Sequence, residues 1–230
     1  MQPIVSIVVP CYNEERNLPL LVFRFEKVLQ DVDAELILGN NGSTDNSQQV
    51  LEKIEKEYNF VRIAVVPKNI GYGHGIMAGL KAAKGGVLAW THADMQCDPE
   101  DVSKAYDVYK QSDEKTLVKG NRQGRFSLLT KSFHVIASVL FFRRFDDING
   151  QPKMFPRSLM DEIKKAPNGF QLDFYVQYIA KKKGYRVVSI PVKFGVRKFG
   201  YSKWATGMKS RVKNVARFLG YMLKLRFIGG

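Results

Sequence analysis

Four short apolar runs, each breaking into a polar loop and each separated from the next by helical periodicity, constrain this chain more than any other feature. They are Ile4 to Val9 (IVSIVV), Glu35 to Leu38 (ELIL), Val61 to Val66 (VRIAVV) and Val87 to Trp90 (VLAW). Runs of this length, rich in β-branched residues, suit strands covered on both faces. After the first, Leu18, Leu21, Val22, Phe25 and Val28 recur at helical spacing, predicting a helix through about Leu29. Asn46 starts a second helix, and the glycine-rich turn Asn69 to Gly75 leads into a third, through about Ala83. A β-α-β-α-β-α-β order over roughly ninety residues predicts a doubly wound, mostly parallel sheet. Such sheets place ligands at the carboxyl ends of their strands, so the loops after the strands are where chemistry is to be sought.

The loop after the fourth run is the densest. His92, Asp94, Gln96 and Asp98 bring four groups able to bind a metal or a phosphate within seven residues. If the chain stays extended, alternation points His92, Asp94 and Gln96 to one side. Pro99, with Asp98 ahead of it as an N-cap, opens the next helix. The same residues also suit a plain polar strand-to-helix loop. The turn Gly71-Tyr72-Gly73-His74-Gly75 is not a dinucleotide fingerprint, because it follows the third strand and has the wrong glycine spacing. It reads as a helix N-terminus.

The 230 residues, 45% hydrophobic and 25% charged, suit one globular domain. No stretch reaches the roughly 18 apolar residues of a membrane span, and the start MQPIVSIVVP reads as a strand rather than a signal peptide. Cys11 and Cys97 are too few for a disulfide framework and are expected as free thiols in a reducing cytoplasm. The net charge of +14 calls for an anionic partner: a phosphorylated substrate, a lipid surface or nucleic acid. There is no basic platform interleaved with aromatics and no nucleic-acid motif, so nucleic acid is not expected.

The second half changes character. A strand over Thr116 to Val118 leads to Lys119-Gly120-Asn121-Arg122, and Ser127 to Phe142 is strongly apolar, with Arg125 and Lys131 before or within it and Arg143-Arg144 after it. Met154-Phe155 is a short strand, Leu172 to Lys182 a helix, Val187 to Val192 a strand, Lys193 to Lys203 a basic loop and Trp204 to Phe227 a helix. On that last helix Trp204, Met208, Val212, Val215, Leu219 and Met222 make an apolar stripe, with Lys209, Lys213, Arg217 and Lys224 opposite. A basic amphipathic helix of this kind is interfacial rather than transmembrane, and it favours an anionic membrane surface as partner. The 127–142 segment is too short to span but long enough to dip in beside it. The alternative is that both pack on the sheet.

Several short motifs now stand in a telling order. Pro10-Cys11-Tyr12-Asn13-Glu14 follows the first strand, Asn40-Asn41-Gly42-Ser43-Thr44-Asp45 the second and Ala93-Asp94-Met95-Gln96 the fourth. Then come Gly120-Asn121-Arg122, Asn149 to Phe155, Gly169 to Asp173, Ile190-Pro191-Val192, Arg197 and Gly200-Tyr201-Ser202-Lys203. This series resembles family-two glycosyltransferases, and most closely the polyprenyl-phosphate glycosyltransferases of the dolichyl-phosphate mannose synthase branch. It covers Ile4 to Lys203, nearly the whole chain.

The resemblance implies an α/β fold of the GT-A type: a single Rossmann-like domain over residues 1–203, with a central mostly parallel sheet flanked by helices, followed by the amphipathic helix over 204–230. It implies inverting transfer of a sugar from a nucleotide-sugar donor to a polyprenyl phosphate or lipid-linked acceptor, at the cytoplasmic membrane face, in building cell-envelope glycans. Pro10, Tyr12 and Glu14 would line the nucleotide pocket, and Asn40-Asn41 stand where the family's acidic pair contacts the base. Asp94, Gln96 and His92 would hold a divalent metal, Mn²⁺ or Mg²⁺, on the diphosphate. Arg122, Arg197, Ser202 and Lys203 match phosphate-holding positions, and Asp94, Asp173 and Arg122 are the implied catalytic residues.

Elementary chemistry accords with these roles. A leaving nucleoside diphosphate gathers negative charge, which a divalent ion on oxygen ligands and nearby Arg and Lys stabilise. Two departures leave questions open. His92 stands where the family has Asp, so it either ligates the metal without adding negative charge or caps the loop. Asn40-Asn41 replace acceptor-only carboxylates, and an amide also donates, so cytosine joins uracil and guanine as a possible base. The acceptor is equally open: a lipid phosphate needs no base, whereas a soluble glycan hydroxyl needs one, with Asp173 the candidate. A non-catalytic nucleotide-sugar-binding relative is the third reading.

Overall fold

The computed structural model describes residues 4–124, 128–199 and 208–227. The elements follow in the order β1 (Val5–Cys11), α1 (Leu18–Val28), β2 (Ala34–Asn41), α2 (Ser47–Glu57), β3 (Val61–Val66), α3 (Tyr72–Ala82), β4 (Val87–Trp90) and α4 (Glu100–Lys110). The second half adds β5 (Thr116–Gln123), α5 (Leu128–Phe141), β6 (Lys153–Pro156), α6 (Leu159–Glu162), α7 (Leu172–Lys182), β7 (Arg186–Lys193) and α8 (Met208–Phe227). The strands form one sheet in the order β3-β2-β1-β4-β6-β5-β7.

Pairing is parallel for β1 with β2 and β4, for β2 with β3 and for β5 with β7; β6 is antiparallel to both β4 and β5. The chain leaves β1 toward β2 and β3 on one side and returns to β4 on the other. That reversal opens a crevice at the carboxyl ends of β1 and β4, where α/β sheets bind ligands.

Strand alternation sorts the core into two layers. Ile7, Leu36, Leu38, Ala89 and Met154 face one side with Leu18, Leu21 and Phe25 of α1, Leu51 of α2 and Val102 of α4. Val8, Ile37, Leu88, Trp90 and Phe155 face the other, with Ile76 of α3, Phe141 of α5, Phe174 of α7 and Phe218 of α8. Because both faces are covered, the strands read as continuous apolar runs.

Three features differ from the sequence expectations. β5 runs on through Lys119-Gly120-Asn121-Arg122, because β7 pairs with it residue by residue from Thr116 against Arg186 to Gln123 against Lys193. Neighbour pairing thus overrides the low strand propensity of Lys, Gly and Asn. Lys119 and Lys153, opposite one another on β5 and β6, are fully buried. The stripe on α8 also divides. Met222, expected on the outward stripe, is buried beside Phe218 and Leu225, and the Phe133 and Phe218 rings meet edge to face at 4.5 Å. Val215 and Leu219 are half-buried, and Val212 is exposed. Trp204, and the boundary expected at Lys203, lie outside the described residues.

Candidate active site

The site begins where the loops after β1 and β2 are stitched together. Asn13 takes a positive φ of 57°, its N–H donates to Ser43 Oγ at 3.1 Å, and its side-chain oxygen accepts the Thr44 N–H at 2.8 Å. The Glu14 N–H donates to Ser47 Oγ at 3.0 Å, so the start of α2 is tied to the loop after β1. Pro10, half-buried, pairs with Gly39 across the two strand ends, and Tyr12 is half-buried just beyond it.

Asn40 and Asn41, both buried, do different work. Asn40 closes its own loop, accepting the Ser43 N–H at 3.0 Å and donating to Gln48 Oε1 at 2.6 Å. Asn41 spends its amide hydrogens on Gly71 O at 3.0 Å and Asn69 Oδ1 at 3.4 Å, while its buried Oδ1 has no hydrogen-bond partner among the described residues. The side chain therefore presents an acceptor only, as an aspartate would. A residue with a side chain at Gly71 would collide with the Asn168 carbonyl and would have to hold a φ of 143°, so glycine is what lets α3 start this close to the 167–169 loop.

Across the crevice, the loop after β4 does not stay extended. Met95 turns into the left-handed region with φ 61°. His92 parts from Asp94 and Gln96, which both reach the 195–197 segment. His92 turns toward the interior, its Nε2 3.0 Å from the Tyr72 hydroxyl, and burial pulls its pKa below the ordinary value. Gln96 Nε2 donates to Gly195 O at 3.0 Å. Buried Asp94 accepts the Gln96 N–H at 3.2 Å on one oxygen and Arg197 Nη2 at 2.6 Å on the other. Asp98 is not the N-cap expected of it, since Pro99 holds that position; it accepts the Glu100 N–H at 3.0 Å and pairs with Arg24 at 2.7 Å, so it takes no part in the site.

Arg197 comes from the loop after β7 and also reaches Glu14 Oε1 at 3.5 Å. Among the described residues its buried Nε has no hydrogen-bond partner. One guanidinium thus spans carboxylates from two loops, and Glu14 has its pKa raised, mainly by burial and in part by Asp94. The loop carrying Arg197 is fastened across the crevice: Phe194 bridges Cys97, the Gly195 N–H donates to Gln96 O at 2.8 Å, and Arg16 lies 4.2 Å over the Phe199 ring. Ser202 and Lys203 lie outside the described residues.

On the β5 and β6 side, Arg122 is held by Asp147 through Nε, Nη2 and its own N–H, and its guanidinium lies 5.2 Å from the Phe194 ring centre. Asp147 is kept below the usual carboxylate range despite burial, chiefly by the Arg122 hydrogen bonds and charge. Asp173 sits deeper. It accepts from Lys153 Nζ and from Gln151 Nε2, the latter at 2.8 Å, and Gln151 Nε2 also reaches the Tyr72 hydroxyl at 3.4 Å. His92, Tyr72, Gln151, Asp173 and Lys153 form one polar chain beneath the crevice. Sequence reasoning missed Tyr72, Asp147, Gln151 and Lys153. A lysine inside an otherwise apolar strand, as in Lys153-Met154-Phe155, is the signal that was available for the last of these.

A divalent cation fits the near side of the crevice. Asp94 and Glu14 are carboxylates sharing a single guanidinium, and the Gln96 amide keeps its oxygen as a further hard ligand. Among the described residues no group of three or more His, Cys, Asp or Glu side chains is placed to hold a metal. A cation here would take few protein ligands and fill its shell with phosphate oxygens and water, as Mg²⁺ commonly does.

The model of glycosyl transferase family 2 matches residues 6–161. The chain belongs to that family. Among curated members, it is 28% identical over 207 residues to the undecaprenyl-phosphate 4-deoxy-4-formamido-L-arabinose transferase of Proteus mirabilis, covering 87% of this chain and 63% of the relative. It is 25% identical over 209 residues to the dolichol-phosphate mannosyltransferase of Pyrococcus furiosus, covering 86% of this chain and 58% of that one. The chain thus spans about three-fifths of the length of these curated relatives.

Among solved structures, glucosyl-3-phosphoglycerate synthase from Mycobacterium tuberculosis, in complex with Mn²⁺, UDP and phosphoglyceric acid, superposes with a TM-score of 0.76 at 17% identity, covering 97% of this chain and 78% of that one. A mannosyltransferase from Pyrobaculum calidifontis in complex with GDP-Man and Mn²⁺ gives 0.67 at 17%, covering 97% and 65%. The family-2 chain therefore has the GT-A fold expected from its motifs.

Proposed function

We propose that this family-2 protein transfers a sugar, with inversion, from a nucleotide-sugar donor to a polyprenyl phosphate at the cytoplasmic face of a membrane. Relatives named for undecaprenyl-phosphate and dolichol-phosphate transfer support the acceptor class. The observation that carries the reading is the state of Asp173. Buried and bound to Lys153 and Gln151, it is occupied where a hydroxyl acceptor would need a free base. A phosphate acceptor is already ionised near neutral pH and needs only positioning.

Asp94, with Gln96 and without His92, would hold the divalent ion on the donor diphosphate. Mn²⁺ in the two solved relatives supports the choice of metal. When bound, that ion would stabilise the charge gathering on the leaving nucleoside diphosphate. The residues do the rest. Pro10, Tyr12 and Glu14 wall the nucleotide. Arg197 turns from Asp94 and Glu14 to the donor phosphates, with Ser202 and Lys203 following on the same segment. Arg122, oriented by Asp147, offers its remaining N–H groups to the acceptor phosphate. An acceptor oxygen attacks the anomeric carbon from the face opposite the diphosphate, the anomeric C–O bond breaks, and its electron pair leaves on the diphosphate.

Asn41 sets the base. With both amide hydrogens engaged, its oxygen suits the N3–H of uracil or the N1–H of guanine and opposes the N3 acceptor of cytosine. The test is a thermal-shift series with UDP, GDP and CDP in Mn²⁺, followed by sugar transfer to a prenyl phosphate. UDP or GDP should stabilise more than CDP, and the labelled sugar should move into prenyl phosphate. A response to CDP alone would remove Asn41 as the base reader. Transfer to a glycan hydroxyl but never to prenyl phosphate would overturn the acceptor.

A further inference from the structure

We propose that α5 and α8 together form a docking surface for an anionic lipid bilayer, a reading that rests on the lipid acceptor proposed above and adds where the bilayer is met. The two helices lie side by side and point the same way, since Phe133 meets Phe218 and Arg226 lies 5.3 Å over the Phe142 ring near both C-terminal ends. One face of the pair is core: Ala137 and Phe141 on α5, and Phe218, Met222 and Leu225 on α8, are buried.

The other face leaves large apolar side chains in solvent. On α5, Val135 is 60% exposed, Val139 67% and Phe142, just past the helix end, 81%; on α8, Val212 is 62% exposed and Phe227 75%. Their spacing puts 135 and 139 on one face of α5, with Phe142 just beyond its end, and 212, 223 and 227 on one face of α8. Two apolar sectors on one helix, of which the described residues fill one, are more than core packing requires. Contiguous exposed apolar residues of this kind mark an interaction site.

Charge identifies the partner. Arg143 and Arg144 are exposed at the end of α5, and Lys213, Arg217, Lys224 and Arg226 are exposed on α8. The sequence has no Asp or Glu between Lys115 and Phe145, and none after Asp173. A surface made only of apolar and basic groups matches acyl chains edged by anionic headgroups, whereas a protein partner with ordinary mixed charge would leave many of these cations unmatched. β5 ends at Gln123 and α5 starts at Leu128, so the surface starts near the end of the strand that carries Arg122.

Flotation with vesicles of equal parts phosphatidylcholine and phosphatidylglycerol tests this. Wild type should float with them, and much less with phosphatidylcholine alone. Val139→Ser with Phe142→Ser, and separately Lys213→Glu with Arg217→Glu, should each weaken partitioning by about tenfold or more. Both pairs should keep the wild-type melting temperature and nucleotide response, because all four side chains are exposed. Wild type that ignores the anionic vesicles, or variants that float equally well, would overturn the surface. So would a dimer in sedimentation that Val139→Ser with Phe142→Ser dissociates, since a second copy would then be the occupant. Turnover of a short, water-soluble prenyl phosphate separates the two readings. Turnover without flotation overturns the surface alone, and flotation sensitive to the variants but without turnover supports the surface while the acceptor reading falls.

Discussion

Asp94 and Asp173 are both buried aspartates bound to a cation, yet they belong to different problems. Asp94 is paired with an arginine whose long side chain can turn aside while its loop stays fastened, so the carboxylate is available to a ligand. Asp94→Asn should lower turnover by about a hundredfold or more, on the order of 3 kcal/mol of transition-state stabilisation, and should abolish the Mn²⁺ dependence of nucleotide binding. Turnover like wild type would remove it from the site. Asp173 is paired with a fully buried lysine on a strand, which cannot leave without unfolding its surroundings. Lys153→Met should cost about 3–5 kcal/mol by stranding a buried carboxylate, and adding Asp173→Leu should restore most of it. Urea midpoints of both variants decide this; an unaffected single variant would show the pair to be weak. Asp94 was legible because acidic and amide groups follow an apolar strand. Lys153 was not, because one lysine in a short strand reads the same whether its partner is an aspartate or water. Cys97 makes a third case: burial pushes its thiol up to about 12, so almost no thiolate exists at pH 8. Iodoacetamide should label neither Cys97 nor buried Cys11 in the native protein, and both in urea.

Among the elements, strands and helices with their own periodicity were readable: α7 and the strands over 61–66 and 87–90 stand where pattern placed them. What pattern misplaced was decided by neighbours. β5 was cut short at Val118 because β7, which carries it to Gln123, lies about seventy residues away, and α8's buried sector is set by α5 and α7 rather than by its own sequence. The geometry of the loop after β4 was missed for a local reason, since a left-handed Met95 is invisible to alternation. α5 also carries a pH-sensitive contact. His134 Nε2 accepts the Ile148 N–H at 3.3 Å, and burial, aided by Lys119 and Arg122 against Asp147 and Asp146, holds its pKa below the ordinary value. The unfolded chain therefore binds the extra proton first. This contribution is full above about pH 6.5 and is lost as pH falls through the lowered folded value. His134→Asn should flatten the fall in melting temperature between pH 7 and pH 5; an unchanged slope would place the acid sensitivity elsewhere.

For the whole molecule, the question is whether α8 is an appendage or part of the domain. The sequence suggests an appendage, since the helix follows a basic loop and carries a stripe suited to a membrane. The core says otherwise: Phe218, Met222 and Leu225 share one cluster with Trp90 on β4 and Phe174 on α7. Burying three such side chains contributes about 1.5–3 kcal/mol each, a large part of the 5–15 kcal/mol that holds a typical domain. Removing α8 should therefore weaken the whole fold, including strands far from it, and not merely release the protein from lipid. The chain has two tryptophans, and ending it after Lys203 leaves buried Trp90 as the sole reporter. A full-length Trp204→Phe variant supplies the matched comparison. If α8 belongs to the domain, Trp90 fluorescence in the shortened chain should report a urea midpoint well below that of Trp204→Phe, in a single transition. Equal midpoints would make α8 a separable attachment. The charge reversals on its exposed face should leave the midpoint in place, because the side of α8 that binds the core is not the side that faces solvent.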